Sequence, residues 1–323
     1  MPRRRTTASR TRRTTSSTRT AFAAGDSLAE QILRDRRAAL RRRAKAISNQ
    51  PARMLRIGAP AVEKKFVDAA GPAGIATLVA EGDSWFNYPG KDVLGALHDL
   101  GYDIEHVARP GDLIESMAYL PGELADFARV LEKLAQRRIR PKAVLLSGGG
   151  NDVAGDQFHM LLDHVASKRP GLNEDVVRGV IDVRVRNAYE SIITAITRLC
   201  REIIDDKIPI PIVLHGYGNP VPDGRGFLGG ALLLPGPWLR PGFHQKGFKD
   251  QDANTATMEV LIGRFNDMLA AVAKGFKHVH YVDVRGALEN GPNYRQWWAN
   301  ELHPKDRGFD AVAKIIADKL DAL

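Results

Sequence analysis

Cysteine is almost missing from this chain. Cys200 is the only one in 323 residues, which excludes an intrachain disulfide and any metal site built from several thiolates. Its place in a helical run, residues 191–204, reads as a small buried apolar filler rather than a reactive thiol. No stretch approaches the ~18 apolar residues that a membrane-spanning helix requires, so no membrane span is expected. Twin arginines near the start are not followed by the apolar segment of a secretion signal, because Ala21-Phe22-Ala23-Ala24 is too short. The expected location is cytoplasmic. The triple glycine at 148–150 lacks both the Lys-Ser/Thr of a phosphate-binding loop and the spacing of a dinucleotide site, so no cofactor is implied. His278 and His280 would share one strand face, but no third ligand accompanies them and no metal is expected.

What is present is an ordinary globular composition, 44% hydrophobic and 26% charged. The formal charge of +9 is unevenly placed. Residues 1–50 hold 14 Arg or Lys against 3 Asp or Glu, an excess of +11, so the remaining 273 residues carry −2. Residues 1–25, nearly all Arg, Thr and Ser with little to bury, read as a disordered basic tail. Residues 26–70 read as a basic helical extension, with a helix over 28–47 capped by Asp26 or Ser27. Such a segment is a solvated tail, a weak contact for nucleic acid or another acidic surface, or an organelle transit peptide. No aromatic alternates with its arginines to stack on bases, which weakens the nucleic-acid reading.

From residue 71 to 323 the pattern is that of one domain. Apolar runs at 75–80, 104–108, 143–146, 210–215 and 279–284 read as strands. Helical periods fall between and after them at 93–100, 120–137, 182–205, 253–274 and 306–323. This alternation predicts an α/β fold: a three-layer, doubly wound, flavodoxin-like five-stranded parallel sheet with helices on both faces.

In such a sheet ligands bind at the carboxyl ends of the strands, and polar blocks stand there in this sequence. Glu81-Gly82-Asp83-Ser84 follows the first strand and leads toward a helix, whose N-terminal N–H groups would serve an oxyanion beside Ser84. Arg109-Pro110-Gly111-Asp112 follows the second, Gly148-Gly149-Gly150-Asn151-Asp152 the third, and Asn300-Glu301-Leu302-His303 precedes the last helix.

Together and in this order the four blocks resemble the SGNH (GDSL-type) serine hydrolases over about residues 75 to 323. The resemblance implies ester hydrolysis through a serine acyl-enzyme, with neither cofactor nor metal. It makes Ser84 the nucleophile and His303 the general base. The oxyanion donors it implies are the N–H groups of Ser84 and Gly111 and the side chain of Asn151. The chain departs from the family three residues before the histidine, where Asn300 replaces the usual Asp. Three readings follow. Asn300 orients His303 without charge; Glu301 or a backbone carbonyl does so instead; or the site has been retuned for binding. Trp85, in place of the usual Leu, reads as core packing. Two long connections, 153–181 and 216–252, lie on the same edge, and the second, with Trp297 and Trp298, would frame an acyl or aryl pocket. Short- to medium-chain carboxylic esters, deacetylation included, are the first substrates expected, and phospholipid or lysophospholipid esters the next. The rival reading is a non-hydrolytic binding protein on the same shell, tethered by residues 1–50.

Overall fold

The computed structural model describes residues 7–48, 74–155, 157–205, 207–229 and 234–323. The chain opens with α1 (Thr7–Ser48) and enters the sheet at β1 (Ala76–Glu81). Next come α2 (Val93–Asp99), β2 (Tyr102–His106), α3 (Ile114–Tyr119), α4 (Pro121–Gln136), β3 (Ala143–Leu146) and a single helical turn, α5 (Gly150–Val153). A small antiparallel pair, β4 (Leu162–Asp163) and β5 (Gly171–Leu172), precedes α6 (Glu174–Val177), which runs through a π-helical stretch (Arg178–Val185) into α7 (Arg186–Ile204). The chain closes with β6 (Ile212–His215), α8 (Arg240–Gln245), α9 (Gln251–Ala273), β7 (Val279–Val282) and α10 (Asp306–Asp321).

The five main strands form one parallel sheet in the order β2-β1-β3-β6-β7. This is the flavodoxin-like order, and burial explains its strands. β3 and β6 are buried throughout and are wholly or mostly aliphatic, as parallel strands covered on both faces must be. The edge strands β2 and β7 carry charged or histidine residues where coverage is partial. One helical layer pairs α2 with α10; α4, α7 and α9 form the other. The chain runs from β1 out to β2 and then returns to β1's other side as β3. Ligands of such sheets bind at that reversal, beyond the carboxyl ends of β1 and β3.

The N-terminal segment corrects an expectation. Described residues 7–25, expected without structure, belong to the continuous helix α1, which lies along α7 and α4. Composition misled because the helix docks through small residues rather than large ones. Ala21 and Ala29 are buried, with Ile32 and Leu33 beyond them. Between the two alanines a Cβ on Gly25 would stand 2.1 Å from the Ser191 carbonyl oxygen, so the helices approach as only glycine permits. Around this contact Arg198 of α7 pairs with Asp26 and Glu30, while Arg36 and Arg37 pair with Glu132 and Glu202. Two arginines counted toward a nucleic-acid surface are thus directed at the domain's own carboxylates. The remainder of the expected extension, 49–70, lies outside the described residues.

Candidate active site

Ser84 sits in a single turn after β1, with the N–H groups of Phe86 and Asn87 both donating to the Asp83 carbonyl (3.1 and 3.2 Å). The following helix, α2, begins only at Val93, so the expected helix N-terminus beside Ser84 is replaced by this turn. Asp83 is what fixes it. Its buried carboxylate accepts from the Trp85 N–H (3.0 Å), from Ser147 Oγ beyond β3 (3.1 Å) and from Tyr217 Oη beyond β6. Three strand ends are tied at one carboxylate. Burial pushes Asp83 up and these hydrogen bonds pull it back.

The histidine arrives from the other side of the cleft. The segment before α10 folds back on itself through a bridge between Trp298 and Pro304, which aims His303 inward. His303 Nε2 stands 2.7 Å from Ser84 Oγ, and Nδ1 stands 3.0 Å from Asn300 Oδ1. That Asn300 oxygen also accepts from the backbone N–H groups of Leu302 and His303, both at 2.9 Å, while Nδ2 donates to Tyr88 Oη (3.1 Å). The Tyr88 ring stacks on the imidazole at 4.3 Å, and Trp238 meets it edge-on at 5.7 Å. Enclosed this way, with no carboxylate among these contacts, His303 is pushed down to about 3 by burial.

Glu301 is engaged elsewhere. It is fully buried, and its two oxygens accept the backbone N–H groups of Gly224, Trp238, Leu239 and Arg240 at 2.7–3.0 Å. It anchors the 216–252 connection. Arg225 makes the reciprocal tie, donating to the Trp298 and Ala299 carbonyls (2.9 and 3.1 Å).

Ser84, Asn151 and His303 line one narrow cavity of about 30 Å³. Its walls include Trp85, Tyr217, Ile262 and Trp298. Trp85 is almost wholly buried among Tyr217, Trp298 and Phe309 and donates its indole N–H to the Leu302 carbonyl (3.1 Å). It therefore packs in the core and floors the cavity at once. Asn151 is the second residue of α5, whose cap is Gly149 with a φ of 83° that no side-chain-bearing residue adopts comfortably. One of its amide hydrogens goes to the Asp112 carbonyl (3.0 Å). Gly111, the other expected oxyanion donor, does not line the cavity; it is exposed on the neighbouring loop, joined to Asn151 through Asp112. Asn300 also stands behind the cavity, reaching it only through His303. Trp238 belongs to the connection expected to frame a pocket, but Tyr88 and the Arg225–Glu301 ties were not singled out from the sequence as parts of this site. No local motif marks them.

A parallel doubly wound sheet whose reversal point gathers a serine, a histidine and an asparagine around one cavity is the architecture of an SGNH-type hydrolase. The chain belongs to the GDSL-like lipase/acylhydrolase family, whose model matches residues 68–311, and is thereby a hydrolase of the esterase/lipase class. No curated protein matches it. Among solved structures it is similar to the lipase Lip_vut3 from a goat rumen metagenome, at 13% identity and a TM-score of 0.45 over 75% of this chain and 96% of that one. It is also similar to Axe2, an acetylxylan esterase from Geobacillus stearothermophilus, at 13% identity and a TM-score of 0.42 over 77% and 95%. Similarity at this level says nothing about substrate. Among the described residues no helix is long and apolar enough to cross a membrane.

Proposed function

We propose that the protein hydrolyses short-chain carboxylic esters through a Ser84 acyl-enzyme with His303 as general base. The observation that carries this reading is the 2.7 Å contact between His303 Nε2 and Ser84 Oγ. The proton positions follow from the neighbours. An atom that accepts two backbone N–H groups must be oxygen, so the Asn300 amide has one possible orientation. Facing that oxygen, His303 Nδ1 carries the hydrogen, which leaves Nε2 as the acceptor of the Ser84 proton. Asn300 thus sets the tautomer that an Asp would set, without the charge that would stabilise the imidazolium.

Ser84 Oγ attacks the ester carbonyl as His303 takes its proton. The tetrahedral oxyanion is met by the Ser84 N–H, the second amide hydrogen of Asn151 and the Gly111 N–H once its loop closes on substrate. His303 then returns the proton to the leaving alcohol. Water attacks the acyl-enzyme under the same base, releasing the acid and restoring Ser84. The narrowness of the cavity favours acetyl and similarly short acyl groups.

Labelling with a fluorophosphonate, which phosphonylates only an activated serine, tests this. Wild type should label, and both Ser84→Ala and His303→Ala should lose the label while melting as wild type does. A folded wild type that fails to label with the probe demonstrably in the cavity would remove the acyl-enzyme and favour the binding-protein reading.

A further inference from the structure

Away from the Ser84 cavity, three segments distant in sequence bring acidic side chains to one point. Glu81 ends β1, Asp112 lies in the loop after β2, and Glu123 stands in the first turn of α4. One carboxylate oxygen of each lies within 4.8 Å of the others. Glu81 is 0% exposed and Glu123 8% exposed. Each residue keeps one buried oxygen without a hydrogen-bond partner: Glu81 Oε2, Asp112 Oδ2 and Glu123 Oε2.

We propose that Glu81, Asp112 and Glu123 form a binding site for a hard divalent cation, calcium in particular, that braces the Gly111 loop. Unpartnered buried carboxylate oxygens are costly, and three gathered together repel one another. Among the described residues the cation paired with the cluster is Arg109, whose guanidinium meets the other Glu123 oxygen and Asp126. Three carboxylates and one arginine leave the cluster at −2, the charge a divalent ion neutralises. Burial, and for Glu81 the nearby Glu123, push these carboxyls up, which is the penalty a bound cation would relieve.

The donor set is all oxygen, the preference of calcium and magnesium rather than of zinc or copper. At calcium's ligand distances of about 2.3–2.6 Å three oxygens can stand up to about 4.5 Å from one another around one ion, against about 3.6 Å at magnesium's 2.0–2.1 Å, so a cluster spread within 4.8 Å fits calcium with the smaller contraction. Asp112 is only partly buried, so the ion has a path from solvent and water completes its shell. Asp112 also follows Gly111, and its carbonyl accepts from Asn151 Nδ2 (3.0 Å). A cation held by its side chain would therefore steady the loop that presents the Gly111 N–H. This last consequence rests on the proposed hydrolysis; the binding itself does not.

The test uses the full chain, stripped with chelator and titrated with calcium chloride at about pH 8, where a shared proton competes least. Calorimetry should find one calcium per chain. At a hundredfold excess over Kd the melting temperature should rise by about 5–10 °C. Glu81→Gln, Glu123→Gln and Asp112→Asn should each weaken binding at least tenfold and remove the thermal shift. Asp112 is partly exposed, so its variant carries the test alone if the buried substitutions do not fold. Wild type that neither binds nor shifts with millimolar calcium would overturn the proposal, the carboxyls then holding protons. Binding that persists unchanged in all three variants would overturn it equally, by placing the ion elsewhere. Faster ester turnover with calcium in wild type and not in Asp112→Asn would report on the loop; its absence, with binding intact, would count against the bracing and not the site.

Discussion

Asn300 faces His303 Nδ1 where the resemblance implied an Asp, and the consequence of its missing charge falls on pH dependence. His303 is pushed down to about 3 by burial, so its neutral, proton-accepting form persists into acid. kcat/KM should stay level from about pH 8 to about pH 5 and decline only below that. The same depression destabilises the fold in acid. A histidine lowered on folding contributes stability that is complete above its unfolded value of about 6.5 and lost as pH falls toward the folded value. Near-ultraviolet dichroism at each pH separates that loss from the titration of the base. Asn300→Asp should raise the His303 pKa, move the acid limb upward by a unit or more, and speed turnover. In a serine protease the reverse change slows turnover about ten-thousandfold with the tautomer wrong; here the tautomer is already set, so a gain of roughly ten- to hundredfold is expected. A rate unchanged or lowered in Asn300→Asp would show that Asn300 does not hold the acid's place. Glu301→Gln gives the contrast, since it turns donors toward donors beneath the 216–252 connection: it should cost about 1–3 kcal/mol in urea melts and leave the pH profile alone. Ser84, Asn151 and His303, each at a strand end or just before a helix in the sequence, meet at one cavity. The sequence could not choose between Asn300 and Glu301. They are adjacent, and only the turn closed by the Trp298–Pro304 bridge decides which side chain faces the imidazole.

At the level of elements, the strands and long helices were legible because hydrophobic periodicity and strand–helix alternation are local signals. The helix expected over 120–137 is Pro121–Gln136, and the strand over 143–146 is Ala143–Leu146. The signal failed at α1, where low hydrophobicity concealed a docking face. Ala21, Gly25 and Ala29 recur every four residues, a spacing that stacks small side chains on one side of a helix. That ridge, and not the arginines around it, is the feature that could have foretold the contact with α7. Gly25→Val tests it. The added side chain meets the Ser191 backbone and must push the helices apart, which should destabilise the protein by about 1–3 kcal/mol in urea unfolding. Gly25→Val melting as wild type does would mean that α1 contributes nothing to the domain's stability through this contact.

For the molecule as a whole, under the proposed function substrate size is set where three distant parts of the chain close on one another. Ile262 comes from α9, Tyr217 from the loop after β6, and Trp298 from the segment before α10. The expectation that the 216–252 connection frames a pocket holds for Tyr217, Gly218 and Pro220, which line the cavity with Trp298. Trp297 does not line it; the Arg307 guanidinium covers its ring at 4.0 Å. No sequence pattern announces Ile262, because a helix residue facing the cavity looks like any other core position until the sheet is assembled. Its substitution separates size selection from catalysis. Ile262→Ala removes three carbons from the wall and should cost about 2–4 kcal/mol of stability. Among p-nitrophenyl esters, wild type should favour acetate over octanoate by about a hundredfold or more in kcat/KM, in keeping with 1–3 kcal/mol for each methylene the pocket accepts or refuses. Ile262→Ala should narrow that ratio by about tenfold, mostly through faster turnover of the longer ester, with fluorophosphonate labelling of Ser84 retained. If the ratio stays fixed while the protein loses stability, the acyl chain does not enter between α9 and Trp298. The cavity would then hold only the reacting carbonyl, and the acyl chain would lie outside it.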